Sequence, residues 1–411
     1  MTRALILFED EGFVDLLPLV FWRSIFELQV GRKIILDRIA QRLGMSVAGV
    51  WTRDWIAAVA AQRCGAPANY PLNGPTVLVN GRWLFDEPVD LPRTPTVGTT
   101  EDGGQAYIVC DAALAKDLSA RELLHAKYRA PALAGVARRP APGRLIRYPW
   151  DLVIQVGDLL RGDWEPRDAH LAGEVPAGVI SGPPDQLRVG ERAEIHRTAL
   201  IDTSTGPVYL ANDVSVGACA VLEGPLYIGP GSRINPHAWL HGGNAIGPMC
   251  KIGGELHRCV IHGYSNKQHN GFLGHSVVGS WVNIGAGASN SDLKNSYDRV
   301  SVPINGHDVD SGQILLGAII GDHAKIGINA ALPTGAVIGL GASIASASVP
   351  KYVPCFSWVT DGYMRPGDAL RAMDYASAMM ARRQVDMTDE EVELFSDLTT
   401  RVREFEARAR S

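Results

Sequence analysis

The chain has 411 residues, of which 46% are hydrophobic and 20% charged, and its formal net charge is −5. This length and composition are typical of a globular protein with two or three domains and exclude a disordered chain. Lysine and arginine are scattered rather than clustered, which argues against a nucleic-acid-binding protein, so we expect small-molecule partners.

The six cysteines lie far apart and form no CxxC pair, which favours free thiols in a reducing compartment. The first residues, MTRALILFEDEG, carry acidic side chains where a signal peptide would continue its apolar run. No segment has the length of apolar sequence that spans a bilayer. The sequence therefore predicts a cytoplasmic protein that does not enter the membrane.

Residues 1–150 alternate short apolar runs with helical spacing. Ala4–Phe8 and residues 76–79 are predicted strands, and residues 31–42 carry the apolar spacing of a helix. Strands that alternate with helices indicate an α/β domain with a parallel sheet. Residues 151–187 are predicted to form a connecting helix and linker, because a helical segment at residues 150–160 precedes a Pro/Gly-rich stretch at residues 175–184.

A six-residue repeat of aliphatic side chains dominates residues 188–350. Three six-residue faces make one triangular coil of a parallel β-helix, in which each repeated side chain points inward. The stacked coils bury an apolar column that no single repeat could bury alone. The repeated residues are Val189, Ile195, Ile201, Val208, Val214, Ile228, Ile234, Leu240, Ile246, Ile252, Ile320, Ile326, Leu332, Ile338 and Ile344.

The remaining residues, 351–411, are predicted to form a helical tail. Thr388 and Glu391 have the spacing of a capping box, which marks the start of the last helix. The open end of a solenoid exposes unpaired strand edges. We expect the tail to cover that end.

Histidines crowd into the central coils, where six of the eleven lie between residues 237 and 275. In a regular coil, His257 and His275 would stack about 4.8 Å apart, the spacing of neighbouring strands. Stacked histidines can bind a metal when a neighbouring subunit supplies a third ligand. They can equally be solvated or subunit-contact imidazoles, and both interpretations stay open.

The sequence around His269 carries a longer motif. It runs NKQHNGFLGH from Asn266 and is followed by VNIGAG from Val282. This combination resembles the acetyltransferase half of GlmU, a bacterial bifunctional enzyme that acetylates glucosamine 1-phosphate and then couples the product to UTP. That half has a catalytic histidine, an aromatic residue, Leu-Gly and, one repeat later, the VNIGAG turn. The spacing agrees from His269 through Gly287.

The resemblance implies that His269 is the catalytic base, that Phe272 contacts the substrate, and that Asn283 contacts the acceptor or the acetyl group. Imidazole suits this role, because an amino sugar is mostly ammonium at neutral pH and acyl transfer needs a base. Backbone amides or Asn283 would stabilise the oxyanion of the thioester. The resemblance also implies acetyl-CoA contacts at Ala286 and Ser346, and a left-handed β-helix that assembles as a homotrimer.

Four basic residues are candidates for holding the sugar phosphate. They are Arg233, Lys251, Arg258 and Lys267. The coils before His269 differ in length from those of the family, which leaves the choice among them open. Where the family has an arginine near the nucleotide part of CoA, the stretch PCFSWV offers Trp358. The insertion at residues 290–314 is expected to project as a loop and reach over the site of an adjacent subunit.

The longer string from Asn266 to Tyr297 resembles still more closely a branch of GlmU-like bacterial proteins described as sugar nucleotidyltransferases, and this resemblance spans nearly the whole chain. Ordinary nucleotidyltransferases hold a triphosphate with a Gly-rich turn and basic residues, whereas this chain has FEDEG after its first strand. The resemblance therefore implies two alternatives. Either Arg23 and Arg82 contact the phosphates with Mg²⁺ on Asp10 or Asp151, or the α/β domain has lost the reaction.

The sequence thus predicts a GlmU-like transferase that joins two activities: acetyl-CoA-dependent N-acetylation of an amino-sugar 1-phosphate in the β-helix, and transfer of a nucleotide from a nucleoside triphosphate to the sugar 1-phosphate in the α/β domain. Nucleotidyl transfer alone is one alternative. A metalloenzyme resembling γ-type carbonic anhydrases is another, with His257, His262 and a histidine from a neighbouring subunit as ligands. A non-catalytic protein that binds a sugar nucleotide is the third.

Overall fold

The computed structural model describes residues 3–125, 131–165, 168–361 and 363–408. The chain divides into two compact units. The first unit comprises Met1–Leu28, Lys33–Tyr148 and Thr388–Asp397, and the second comprises Gln29–Arg32, Pro149–Met387 and Leu398–Ser411. The domain boundaries expected at residues 150, 187 and 350 stay predictions.

The N-terminal elements are short. In chain order they are β1 (Ala4–Phe8), β2 (Gln29–Val30), β3 (Lys33–Ile34), α1 (Ile35–Leu43), β4 (Val47–Trp51), α2 (Ala57–Cys64), β5 (Thr76–Asn80), β6 (Trp83–Leu84), β7 (Thr96–Thr99), β8 (Gln105–Cys110), α3 (Ala112–Lys116), α4 (Ala120–Leu124), β9 (Ala137–Pro140), β10 (Arg144–Leu145) and α5 (Trp150–Gly162). The strands expected at residues 4–8 and 76–79 and the helix expected at 150–160 are confirmed.

The first unit is built on a six-stranded sheet in the order β4-β1-β5-β8-β7-β9. Strand β1 runs parallel to β4 and β5, but β8 runs antiparallel to both β5 and β7. The prediction of a parallel sheet is therefore wrong, and the sheet is mixed. Only residues 100–104 connect β7 to β8, and so short a connection makes a hairpin, since a parallel crossover needs a dozen residues or more.

The second unit is a three-sided β-helix, as predicted. Its first face consists of β12 (Leu187–Val189), β15 (Val208–Leu210), β18 (Leu226–Ile228), β21 (Asn244–Ile246), β24 (Val260–Ile261), β27 (Val277–Val278), β32 (Ile319–Ile320), β35 (Val337–Ile338) and β37 (Tyr352–Val353). Its second face consists of β13 (Glu194–Ile195), β16 (Ser215–Val216), β19 (Arg233–Ile234), β22 (Lys251–Ile252), β25 (Asn266–Lys267), β28 (Asn283–Ile284), β33 (Lys325–Ile326), β36 (Ser343–Ala345), β38 (Ser357–Thr360) and β39 (Tyr363–Pro366). Its third face consists of β11 (Ile180–Ser181), β14 (Leu200–Asp202), β17 (Val221–Glu223), β20 (Trp239–Leu240), β23 (Glu255–His257) and β26 (Phe272–Gly274), followed by the pair β29 (Ser289–Asn290) and β34 (Ala331–Leu332).

Successive coils pair in parallel, with the repeated aliphatic residues in register inside the solenoid. Ile234 lies beside Ile252 and Ile320 beside Ile338, and all four are almost completely buried. The predicted ladder is confirmed, since every residue of it lies in one continuous core. The first paired strand is β11 and the coil continues through β38, so the sheets extend beyond the stretch in which the six-residue pattern is visible.

Other elements cover the outside of the solenoid. Helix α5 packs against β18, β21, β24 and β27 of the first face. The insertion after β29 contains an antiparallel hairpin of β30 (Ser301–Ile304) and β31 (His307–Asp310). At the far end, β39 turns back antiparallel to β38, and α6 (Ala369–Ala381) follows.

The last helix, α7 (Asp389–Arg408), begins where the sequence predicted. The hydroxyl of Thr388 accepts a bond from the Glu391 amide, and the Glu391 carboxylate accepts one from the Thr388 amide. This reciprocal pair confirms the capping box. All six cysteines are free thiols, as predicted. Within the described ranges, no helix has the combined length and apolar character needed to cross a membrane.

Candidate functional site

One column of outward side chains runs along the second face of the β-helix. Side chains alternate between the two sides of a strand, so the residue before each buried ladder position faces outward. Parallel pairing places Arg233 beside Lys251, then Asn266, Asn283 and Lys325 in consecutive coils. We call these residues the outward column. It brings two of the predicted basic residues into line with the predicted Asn283.

Two arginines from the end of α6 join this column. Arg383 donates a hydrogen bond to the Asn266 side-chain oxygen at 2.6 Å. The pKa of Lys251 is lowered, chiefly by the positive charge of Arg383 and further by burial, Arg233 and Arg382. Arg233, Lys251, Arg382 and Arg383 form what we call the cationic cluster. None of the four makes an ion pair within the described ranges, so their combined charge is available to an anion such as a phosphate.

Asn283 lies next to the cationic cluster. Its side-chain oxygen accepts a bond from the Asn266 amide at 3.4 Å, and Asn266 in turn is held by Arg383. The Asn283 side chain is half-buried, and its amide nitrogen has no hydrogen-bond partner among the residues that the structure describes. Its amide can therefore donate to a bound carbonyl or hydroxyl.

His269 lies at the corner that follows β25, formed by residues 268–271. Its side chain is exposed. The next corner, residues 285–288, lies directly on this one, because the Gly287 amide donates to the Asn270 carbonyl at 3.1 Å. Ala286, predicted to contact acetyl-CoA, is thus one coil beyond His269 on the same edge. Phe272 follows on the third face, where its ring fills the space that a side chain at Gly274 would occupy.

The structure does not support a phosphate contact for Lys267. Its side chain is 1% exposed and points into the solenoid at a ladder position between Ile252 and Ile284. Burial lowers the pKa of its ammonium to about 8. Sequence reasoning missed this because the coil between Ile252 and Lys267 is shorter than its neighbours, which moves Lys267 from the surface to the interior.

Two further predicted residues lie away from the cationic cluster. Arg258 is exposed at the corner between the third and first faces, next to Gly243. It does not belong to the second face, so the choice among the basic residues falls on Arg233 and Lys251. Ser346 is buried and donates its hydroxyl to the Ser348 carbonyl, which leaves only its surface and backbone for a ligand.

A cavity of about 330 Å³ opens further along the second face. Strand pairing puts Trp358 next to Ser343 in the line of the outward column, and puts Arg365 across from Trp358. Arg371 and Tyr375 of α6 line the same cavity. Neither arginine forms an ion pair with another described residue. The resemblance places an arginine where this chain has Trp358, and the guanidinium groups of Arg365 and Arg371 supply positive charge nearby. Arg365 belongs to the β38–β39 hairpin and Arg371 to α6, and no local sequence motif predicts either position.

The predicted histidine stack is present on the third face. The rings of His257 and His275 lie 4.9 Å apart, and His241 continues the stack 5.2 Å below His257. A carboxylate lies against the histidine at each end of the stack. Nδ1 of His275 is 2.8 Å from an Asp292 carboxylate oxygen, and Nδ1 of His241 is 3.2 Å from a Glu223 carboxylate oxygen. No group of three or more histidine, cysteine or acidic side chains within the described ranges is placed to hold a metal ion.

His262 is a structural residue. The Gln29 amide donates to its Nε2 at 3.1 Å, and its Nδ1 lies 2.9 Å from the Val278 carbonyl, to which it donates. Both ring nitrogens are therefore occupied by backbone groups, and the imidazole is buried. This arrangement contradicts the metal-ligand role that the carbonic-anhydrase alternative requires of His262.

The acidic turn of the first unit is internally neutralised. Arg82 binds Asp10 through two nitrogens at 2.7 and 2.6 Å, and Asn80 donates to Asp10 at 2.8 Å. The third Arg82 nitrogen donates to the Ile146 carbonyl. Asp10 is thus saturated with donors and does not fit a Mg²⁺ ligand, and Arg82 is not free to hold a phosphate. Both predicted roles are corrected by this pair.

The other two predicted nucleotide contacts are less open than expected. Arg23 is 7% exposed, and its carbonyl accepts a bond from Arg53. Arg53 also forms a completely buried ion pair with Glu9, the first acid of the turn. Asp151 lies in the first turn of α5, in the second unit, and is half-buried. Of the turn's acids, Glu9 and Asp10 are therefore structural.

The chain is similar in sequence to known proteins over part of its length. The family described as sugar nucleotidyl transferase matches residues 5–169. A bifunctional protein GlmU of Acaryochloris marina is 26% identical over 211 residues, which is 46% of this chain and 40% of that protein. A bifunctional sugar-1-phosphate nucleotidylyltransferase/acetyltransferase of Sulfurisphaera tokodaii is 35% identical over 121 residues, 29% of each chain.

The chain thus spans less than half the length of these curated relatives. Among solved structures, an Arabidopsis UDP-N-acetylglucosamine acyltransferase aligns with 58% of this chain and 95% of its own, at 14% identity and a TM-score of 0.17. That score is too low to bear on fold or function. The sequence relatives are transferases, and the resemblance to GlmU that the His269 motif predicted is confirmed.

Proposed function

We propose that this GlmU-like chain transfers an acetyl group from acetyl-CoA to the amine of an amino-sugar 1-phosphate on the second face of its β-helix. The observation that carries the proposal is the cationic cluster, which lies beside Asn283 and next to the corner that presents His269. A phosphate bound by Arg233, Lys251 and Arg383 would place the attached sugar against Asn283.

The chemistry follows from these positions. The free amine attacks the thioester carbonyl, His269 accepts the proton that the amine loses, and the carbon–sulfur bond breaks to release CoA as a thiolate. The Asn283 amide donates to the oxygen that becomes negative in the tetrahedral intermediate. The proton on His269 then passes to the departing thiolate, so the enzyme returns to its starting state.

The cavity beside Trp358 supports acetyl-CoA as the donor. Asn283, Lys325, Ser343 and Trp358 follow one another in the line of the outward column, so about 14 Å of strand spacing separates the acyl site from the cavity. An extended CoA arm can bridge that distance, with its adenine against Trp358 or Tyr375 and its phosphates at Arg365 and Arg371. Ala286 and Ser346 lie along the neighbouring edge, where they would line the arm.

The exposed corner at His269 also supports a homotrimer, because one β-helix edge leaves His269 open on one side and a neighbouring subunit would close the site. Acetyl-CoA and nucleoside triphosphates are cytoplasmic metabolites, which fits the predicted location.

The first unit would supply nucleotidyl transfer to the sugar 1-phosphate. The family match over residues 5–169 supports that activity, although no Mg²⁺ is assigned to Asp10.

The test is thiol release from acetyl-CoA with glucosamine 1-phosphate as acceptor, in the intact protein and in two variants. His269→Ala removes the base. His237→Ala removes another exposed corner histidine, in an earlier coil, and serves as the matched control. Thiol release that disappears only in His269→Ala would establish the proposal. Release that survives in His269→Ala would remove His269 as the base.

A second assay separates the alternatives for the first unit. Pyrophosphate release from UTP with N-acetylglucosamine 1-phosphate would establish nucleotidyl transfer. Absence of both thiol and pyrophosphate release, together with binding of a sugar nucleotide in calorimetry, would favour the non-catalytic alternative. Pyrophosphate release alone would favour a nucleotidyltransferase whose β-helix is a scaffold.

A further inference from the structure

Lys267 occupies a place that aliphatic residues hold elsewhere in the solenoid. Along the second face, the inward position is isoleucine in the coils immediately before and after it. An ammonium group in such an interior is costly unless it is fully hydrogen-bonded. Its presence here therefore needs a local reason.

The reason lies in a shortened coil. Ile234 and Ile252 are 18 residues apart in the sequence, but Ile252 and Lys267 are only 15 apart. The corner between β22 and β23 consists of Gly253 and Gly254 alone, whereas the corner that carries His269 has four residues. The two corners therefore cannot stack residue on residue at this step. Among the described residues, no backbone amide donates to the carbonyl of Gly253 or of His269.

The Lys267 ammonium fills this gap. It donates to the Gly253 carbonyl at 3.1 Å and to the carbonyl of His269 at 2.6 Å. One charged group therefore joins the short corner to the His269 corner from inside the solenoid. Bonds from a cation to carbonyl oxygens are stronger than neutral ones, and both carbonyls would otherwise lack a donor at the buried edge.

Gly254 completes the arrangement. It has a φ of +74°, and a side-chain carbon built on it would lie 2.7 Å from the His269 carbonyl oxygen and 2.9 Å from the Lys267 ammonium. Only glycine tolerates both the backbone conformation and the approach. The His269 corner thus rests directly on Gly254 with the ammonium beside it.

We propose that Lys267 is a positioning residue, whose buried ammonium fixes the His269 corner relative to the coil that precedes it. Lys267 does not touch the substrate, since its ammonium is enclosed by the coil. Its effect on acetyl transfer rests on the proposed function, whereas its effect on the corner does not.

The test compares Lys267→Met with Ile284→Met, which places the same side chain at the inward position of the next coil. Methionine is flexible and apolar, so both variants are expected to retain the β-helix by circular dichroism. The amides of Glu255 and Gly287 donate to the corner carbonyls of Gly271 and Asn270. Hydrogen exchange of these two amides, measured by mass spectrometry, should rise at least about tenfold in Lys267→Met only, because local opening of the corner becomes easier. The kcat for acetyl transfer should fall by about 100-fold with an unchanged KM for acetyl-CoA, as expected when a catalytic group is misplaced.

Gly254→Ala provides a second variant that keeps the ammonium and disturbs the corner by contact. It should show the same rise in exchange and the same loss of kcat. Unchanged exchange of the Glu255 and Gly287 amides in a folded Lys267→Met or Gly254→Ala protein would overturn the proposal. If exchange rises as expected and the intact protein shows no acetyl transfer, the positioning role stands and the proposed function fails.

Discussion

The acidic turn of the first unit and the cationic cluster of the second unit both carry charges that the sequence marked as functional, but they use them in opposite ways. Asp10 and Arg82 bind each other, and the bond is reinforced by Asn80 and the Ile146 carbonyl. In the second unit Arg233, Lys251 and Arg383 face outward without a carboxylate partner among the described residues. The charges of the first arrangement neutralise each other within the protein, whereas the positive charges of the second remain available to an anionic ligand.

Whether a charge has a partner within the protein distinguishes structural charges from functional ones. Removing one partner of a buried ion pair destabilises the fold, because the other charge stays buried without compensation. Unpaired cations at a half-exposed surface repel one another, as the lowered pKa of Lys251 shows, and a bound phosphate would relieve that repulsion.

The largest effect is expected from the buried pair Glu9–Arg53, both of whose side chains are 0% exposed. Arg53→Met would leave a carboxylate buried without its cation, which should lower the free energy of unfolding of the first unit by about 3–5 kcal/mol. Thermal unfolding followed by calorimetry would measure the change. Arg192→Met removes an exposed ion pair with Asp213 and should leave the unfolding temperature unchanged.

A smaller loss is expected from Asp10→Asn. The amide keeps the shape of the carboxylate but loses the charge opposite Arg82, and hydrogen bonds to a charged group contribute about 1.5–3 kcal/mol. Urea unfolding should therefore show a destabilisation in this range, with no change in Mg²⁺ binding by calorimetry. Loss of Mg²⁺ binding with unchanged stability would reverse the contrast, because it would make Asp10 a metal ligand.

In the cationic cluster, Arg383→Ala should change binding and not stability. Removal of one cation of the cluster is expected to raise the KM for the sugar phosphate about tenfold, or ~1.4 kcal/mol, with little change in kcat. Steady-state kinetics with varied acceptor would measure this. Arg258→Ala is the matched control, since Arg258 is an exposed arginine of the same β-helix outside the cluster. An equal change in the KM for the sugar phosphate in both variants would show that the cationic cluster does not bind the phosphate.

The smallest effect concerns acid stability. Burial lowers the pKa of His257 below the 6.5 of an unperturbed histidine, and the charges of His275, His241 and Arg258 lower it further. Asp292 raises this pKa, but its effect is weaker. The unfolded chain therefore binds a proton at His257 more readily than the folded one. The contribution of neutral His257 to the free energy of unfolding should be fully present above pH 6.5 and should decline as the pH falls below that value.

His257→Gln should flatten this decline, because glutamine cannot take up the proton. Melting temperatures between pH 5 and 7 would reveal the difference. His237→Gln, which changes an exposed histidine outside the stack, should leave the profile of the intact protein as it is. A decline that persists in His257→Gln would assign the acid sensitivity to other groups.

The fold was predictable where its signal is local. The β-helix follows from a period of six, which the chain repeats often enough to outweigh any single residue, and the capping box at Thr388 follows from a spacing of three. The mixed sheet of the first unit was not predictable in the same way. The direction of β8 depends on a hairpin whose strands carry no marker of orientation.

The candidate site was predictable only in part. The motif placed His269, Asn283 and Phe272 on neighbouring coils, because it repeats the spacing of the family. Arg383 reaches Asn266 from 117 positions away, and Arg82 reaches Asp10 from 72, so neither contact leaves a local pattern. The interior position of Lys267 depends on the shortened coil, which no residue type announces.

The hairpin at the end of the second face has a consequence for self-association. A β-helix ends in a row of unpaired backbone groups, on which another chain could stack further coils. Strand β39 pairs with β38 in the reverse direction and ends at Pro366, which has no amide hydrogen to offer. A further parallel coil therefore meets a strand of the wrong polarity on this face. On this face the stack of parallel strands therefore ends at a hairpin made by the chain itself.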